Sequence, residues 1–174
     1  MTSLLLSVLA RMHRGASFAD FEAAHPHRWL VWEPGAWKPP SKTGETLTAL
    51  CPSSPLPALG EALTLALRIR PGGSGQLSLG RAPGSDLEIN DATLSSVHLV
   101  FMQTDAHRWT ARDAHSRNGS WLNGTAMEPG SPHLLENGAR IQAAQVCLTF
   151  YEPRGLFARL QAHPSYLVAA QLQP

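Results

Sequence analysis

The sequence predicts an all-β sandwich with short helical elements at its two ends, and three observations lead there. Residues 62–70 alternate with period two: Leu63, Leu65, Leu67 and Ile69 fall on one face and Thr64, Ala66, Arg68 and Arg70 on the other. That is the pattern of a strand half-buried in an antiparallel sheet. Short apolar runs then recur at close spacing as far as residue 151 with no helical period between them, as two packed sheets require. Asn-Gly pairs at 118–119, 123–124 and 137–138 punctuate those runs, and Asn-Gly supplies the positive φ angles that tight reversals need.

Taken in order, residues 3–14 place Leu5, Leu9 and Met12 at near-helical spacing, which a short helix or a strand would both serve. Ser17, followed three residues later by Asp20, marks a helix start, because its hydroxyl can accept from an early free N–H. His25-Pro26 ends that helix, since the residue before proline resists the helical region. Arg28–Trp32 is aromatic and β-branched, hence a strand, and Pro34-Gly35 stops it. Residues 1–34 thus read as a helix/strand extension, and the Pro- and Ser-rich residues 35–58 as a connector with one short strand at Thr46–Leu50. The main domain follows over 59–152, with strands at Ala62–Arg70, Leu77–Leu79, Leu87–Ile89, His98–Thr104, Trp109–Asp113, Trp121–Leu122, Ala126–Met127, Arg140–Gln142 and Val146–Tyr151. After Pro153 a helix docking Leu156 and Leu160, with Tyr166 and Leu167 beyond it, leads into the tail that closes 153–174.

Composition bounds the function. At 174 residues with 43% hydrophobic and 16% charged residues, the chain can bury a core and is not broadly disordered. A net charge of +1 leaves no footprint for a nucleic-acid surface. Twelve Arg against two Lys, Lys38 and Lys42, fit a GC-rich coding bias such as bacterial genomes carry. Two isolated cysteines, Cys51 and Cys147, suggest a reduced intracellular protein. The run Leu4–Ala10 is too short for a membrane span and lacks the basic flank of a signal peptide. The expectation is a cytoplasmic protein without cofactor or metal.

The polar residues concentrate in loops between Leu79 and Gly124. In order they are Gly80-Arg81, Ser85-Asp86 with Ile89 and Asp91, Ser95-x-x-His98, Ser116-x-Asn118-Gly119-Ser120, and Asn123-Gly124, followed by the weaker Leu135-x-x-Gly138. In this order and spacing the segment from about Leu63 to Tyr151 resembles the forkhead-associated (FHA) domain. The resemblance implies an FHA-like β-sandwich of about eleven short strands whose loops at one end bind phosphothreonine peptides. A phosphothreonine carries about −1.5 to −2 charge and three strong acceptor oxygens, and an Arg fork can meet two of them. Arg81 fits that role, with Ser95 donating to the same phosphate. Asn118 matches the family residue that holds the peptide main chain. Gly80, Gly119, Asn123 and Gly124 match loop-shaping residues, and His98 the histidine that braces the loops from within. The sequence departs from the family at Ser96, where a cationic or amide side chain is frequent, and Arg117 is placed to offset that loss. Ser120 stands for the usual Thr, and Ala139 for a frequent Asp.

These residues point to a phosphothreonine-dependent binding module acting downstream of Ser/Thr kinases, its partner a phosphothreonine-containing protein such as a kinase or its substrate. The alternative is an FHA-fold scaffold that has lost phosphate recognition. Ser95, His98 and Asp113 contain the residue types of a hydrolytic triad. No Gly-x-Ser-x-Gly elbow accompanies them, however, and Ser and His three apart at the start of a strand would face opposite ways. Pro71–Gly75 precedes a strand and lacks the Lys-Ser/Thr of a nucleotide loop, and the histidines lack metal-ligand spacing. A binding role without catalysis is expected.

Overall fold

The computed structural model describes residues 3–35, 61–69, 72–104 and 108–164, in which twelve strands form two sheets. The strands are β1 (Ser3–Leu5), β2 (Arg28–Glu33), β3 (Leu63–Leu67), β4 (Gln76–Gly80), β5 (Leu87–Glu88), β6 (Leu99–Gln103), β7 (Trp109–Asp113), β8 (Ser120–Leu122), β9 (Thr125–Ala126), β10 (His133–Leu135), β11 (Arg140–Ala143) and β12 (Val146–Tyr151). The helices are α1 (Leu6–Met12), α2 (Phe18–Ala24) and α3 (Pro153–Gln161). One sheet has seven strands in the order β1-β3-β2-β12-β11-β8-β9, and the other five, β10-β7-β6-β4-β5. The fold is an all-β sandwich. All pairings are antiparallel except β4 with β5.

The core between the sheets follows from alternation. Leu30, Leu65, Leu67, Leu148 and Phe150 of the larger sheet meet Leu77, Leu79, Leu99, Phe101 and Ala111 of the smaller. The opposite face of the larger sheet is buried too. Trp29, Val31 and Ala66 pack against Leu6, Leu9 and Ala10 of α1, Phe21 of α2, and Leu156, Phe157 and Leu160 of α3. Here the structure corrects an expectation, because β3 is buried on both faces: Thr64 is fully covered and donates to Leu4 O at 2.8 Å. The helical layer closes the face that alternation alone left open to solvent. Each apolar side chain so buried contributes roughly 1.5–3 kcal/mol.

Residues 3–14 resolve into a strand followed by a helix. Ser17 caps α2, accepting from the Asp20 amide at 3.2 Å while the Asp20 carboxylate returns to Ser17. β2 lies between β3 and β12, pairing with both, so residues 28–33 are a central strand of the larger sheet. β2 ends, and β3 begins, at the end of the sandwich where the β11–β12 turn meets Thr93 and Gly119. Thr46–Leu50, Arg70, Tyr166 and Leu167, and the boundary near residue 58, lie outside the described residues. No helix of the described residues is long and apolar enough to cross a membrane.

Candidate functional site

Three loops converge at that end: β4–β5 carries Arg81, β5–β6 carries Asp91 to His98, and β7–β8 carries Ser116 to Gly119. Gly80 permits the closest approach. A Cβ placed there would lie 2.1 Å from the Ser96 backbone oxygen, nearer than any side chain is tolerated. With no side chain in the way, the Arg81 and Ala82 amides donate to Ser95 O (3.0 Å) and Ser96 O (3.1 Å). Arg81 itself is exposed, and its Nε donates to Leu94 O at 3.3 Å. This anchors the guanidinium by one edge and leaves both terminal nitrogens without a partner among the described residues.

Ser95 Oγ accepts from the Arg117 amide at 3.0 Å. A hydroxyl that accepts from a fixed N–H still has its own proton to donate, so Ser95 keeps a donor for a ligand. Arg117 is exposed, and its guanidinium meets no carboxylate among the described residues. Ser96 is exposed as well; its carbonyl serves the β4–β5 loop, accepting from Ala82 N and from Ser85 Oγ at 3.3 Å. Asn118 Nδ2 donates to Thr93 O at 2.7 Å, which fixes the amide and leaves Oδ1 to accept from a ligand.

His98 lies behind the loops and is fully buried. The Ser95 amide donates to its Nδ1 at 3.1 Å; Nε2 therefore carries the proton and donates to Gly119 O, also at 3.1 Å. Burial lowers the His98 pKa, keeping the ring neutral and this tautomer in place. His98 thus ties two loops together, and its ring turns back toward Ser95; the expectation that the two residues face opposite ways fails because β6 begins only at Leu99. The hydrolytic constellation does not assemble, since Ser95 Oγ is engaged by Arg117 N and not by the imidazole. Asn123, at φ 50°, links the β8–β9 turn to β11 by accepting from the Arg140 amide at 2.9 Å, and Gly124 follows at φ 84°.

The bridging roles of two residues in this frame escaped sequence reasoning, which weighed Asp113 only as a member of a hydrolytic triad and did not single out Thr93. Asp113, almost wholly buried, accepts from Ser116 N (2.8 Å), Ser116 Oγ (2.6 Å) and Ser120 Oγ (2.5 Å), bridging the end of β7 to the start of β8 in the other sheet. Burial alone would raise its pKa, but the Ser116 and Ser120 hydrogen bonds and the nearby His98 overcome this and hold the carboxyl below its ordinary value. Thr93 is the second. Its amide and hydroxyl both donate to Asp91 Oδ1 (2.8 and 2.5 Å), its carbonyl receives Asn118, and its hydroxyl receives Gln145 N at 3.4 Å. An Asp followed two residues later by Thr is the readable signal of that turn. No group of three or more His, Cys, Asp or Glu among the described residues is arranged to hold a metal ion.

The family model of the FHA domain matches residues 77–144. The zebrafish (Danio rerio) E3 ubiquitin-protein ligase rnf8 is 33% identical over 49 residues, 28% of this chain and 10% of that protein, so the match spans about a tenth of that relative's length. Among solved structures, the N-terminal FHA domain of S. cerevisiae Rad53p, in complex with a phosphothreonine peptide, is similar at 18% identity and TM-score 0.48, covering 79% of this chain and 99% of that one. The FHA domain of CT664 from Chlamydia trachomatis is similar at 16% identity and TM-score 0.48, covering 72% and 97%. An Arabidopsis thaliana FHA domain is similar at 21% identity and TM-score 0.46, covering 72% and 86%.

Proposed function

We propose that the chain, whose residues 77–144 match the family model of the FHA domain, is a phosphothreonine-dependent protein-binding module whose site is the loop end of the sandwich. The observation that carries this reading is the pairing of Arg81 and Ser95. The Arg81 guanidinium is anchored through Nε with its fork free, on a loop bonded to the backbone of a serine whose hydroxyl accepts from the Arg117 amide and keeps its own proton to donate. A phosphate accepts from both. Arg117 adds a second exposed cation on the adjoining loop, and Ser96 a neutral hydroxyl. Asn118 Oδ1 accepts a main-chain N–H of the bound peptide. His98, Gly80, Gly119, Asn123 and Gly124 shape the loops that hold these groups.

Two charge-assisted hydrogen bonds of about 1.5–3 kcal/mol each supply a large share of the roughly 8 kcal/mol of a micromolar complex. Binding involves no chemical step, cofactor or metal. The partner is a phosphothreonine-containing protein in signalling downstream of a Ser/Thr kinase, the kinase itself or its substrate, in the cytoplasm. A degenerate phosphothreonine peptide library tests the reading: a recovered peptide binds in its phosphorylated form and not in its unphosphorylated form. Peptides that bind equally well in both forms would favour the second reading, a phosphate-independent scaffold, to which the neutral Ser96 lends support.

A further inference from the structure

A cluster of three histidines lies away from the candidate site, where the helical layer meets the larger sheet. His13 caps the C-terminus of α1, His25 caps that of α2, and His27 immediately precedes β2. His13 and His25 meet edge to face with ring centroids 4.8 Å apart and Nε2 atoms 2.9 Å apart. Phe21, fully buried, contacts both rings at 5.0 Å, and the His27 ring lies 4.5 Å from Trp29. A hydrogen bond between two imidazole nitrogens needs one of them bare; two imidazolium rings cannot make it. His25 Nδ1 and His27 Nε2 are buried without a hydrogen-bond partner, so an added proton there finds no acceptor.

We propose that His13, His25 and His27 form an acid-sensitive latch: their protonation releases the α1–α2 layer from the larger sheet while the core between the sheets stays folded. The charges on the surrounding elements do not rescue the protonated rings. Arg68, just after β3, opposes a positive charge on His25 and on His27. Arg11 and Arg14 at the end of α1, Arg28 on β2, and Arg154 and Arg159 on α3 are cations as well. On α2, Asp20 is bonded to Ser17 and Glu22 is exposed; Glu152 faces Arg28 at 4.0 Å, and Glu33 is held by Arg159. None of these carboxylates is paired with the three rings.

The direction of pH dependence follows. Burial lowers the pKa of all three rings, with His13 and Arg68 adding to the effect at His25, and His27 is brought down to about 4. The unfolded rings titrate near 6.5. The stabilisation is therefore complete above that value and is lost as pH falls toward 4. At pH 5 His27 alone would shift the release equilibrium by about 30-fold. The outer core of Leu6, Leu9, Phe21 and Trp29 is distinct from the core between the sheets, so release of one leaves the other buried.

The test follows the histidine ring signals and backbone amide exchange of the full chain by NMR from pH 7.5 to 5.0, above the range in which most carboxylates titrate. The expected result is that these three rings resist protonation until well below 6.5, and that amides of α1 and α2 lose protection while those of β6 and β7 keep it. Rings titrating near 6.5, or α1 and α2 amides equally protected at both pH values, would overturn the proposal. In His27→Phe, which keeps an aromatic ring against Trp29, the drop in melting temperature between pH 7.5 and 5.0 should shrink; an unchanged drop would count against the latch. Should that variant fail to fold, the titration and exchange of the unmodified chain decide.

Discussion

At Gly80 one hydrogen atom sets the geometry of the site. The Ser96 carbonyl sits where a Cβ would be, and the same approach lets the Arg81 and Ala82 amides bind the 95–96 backbone. Gly80→Ala is expected to push the β5–β6 loop off β4 and to destabilise the chain by about 1–3 kcal/mol. Thermal unfolding reads the stability, and phosphopeptide titration should show weaker binding in material that remains folded. The loop positions of Arg81, Ser95, Arg117 and Asn118, the residues proposed to meet a ligand, were legible in the sequence because their motifs lie in order between strands. The bridging roles of Asp113 and Thr93 were not. Their roles depend on which loops meet in space, and Asp113 reaches Ser120 only because β7 and β8 belong to facing sheets.

Local chemistry specified some elements and left others unmarked. Ser17 and Asp20 close the capping box that their spacing predicted, and the three Asn-Gly pairs each place a glycine at positive φ. β10 carries no alternation that three residues could display, and β1 is equally short. Both are specified by their partners, β7 and β3. The docking of α3 likewise depends on a contact distant in sequence. Arg159 donates with both terminal nitrogens to Glu33 on β2, at 2.5 and 2.7 Å, and to Tyr151 OH at 2.9 Å, while Thr149 also donates to Glu33. The pair is partly exposed, so Arg159→Ala is expected to cost less than breaking a fully buried bridge, about 1–2 kcal/mol. The check is denaturant unfolding beside Glu33→Gln and the double variant, whose combined loss should fall short of the sum.

Across the whole molecule, the larger sheet is the middle layer, with the smaller sheet on one face and the helices on the other. The sequence indicated the sandwich, since period-two alternation survives in β3 and β4, but it did not reveal the outer layer. Nothing in Thr64 or Ala66 announces that helices from both chain ends will cover them. Residues 28–33 make the point most clearly: read alone they are a strand of an extension, yet they pair on both sides within the sheet. Removing residues 1–58 deletes β1, β2, α1 and α2 and separates β3 from β12. The expected outcome is loss of cooperative unfolding, measured by thermal melts of the truncated chain; an unchanged melting temperature would show that the segment contributes nothing to the packed fold.

The proposed function makes its sharpest demand on Arg81, whose anchored guanidinium and free fork face the loop that carries Ser95. The decisive measurement is the affinity of a library-selected phosphothreonine peptide and its unphosphorylated twin for the full chain and for Arg81→Ala, with folding verified by a melt. Phosphorylation should strengthen binding to the unmodified chain at least about 10-fold, the scale of one charge-assisted hydrogen bond. In Arg81→Ala that advantage should disappear while the melting temperature is retained. A phosphate advantage that persists undiminished in Arg81→Ala would contradict the assignment of this end of the sandwich as a phosphothreonine site.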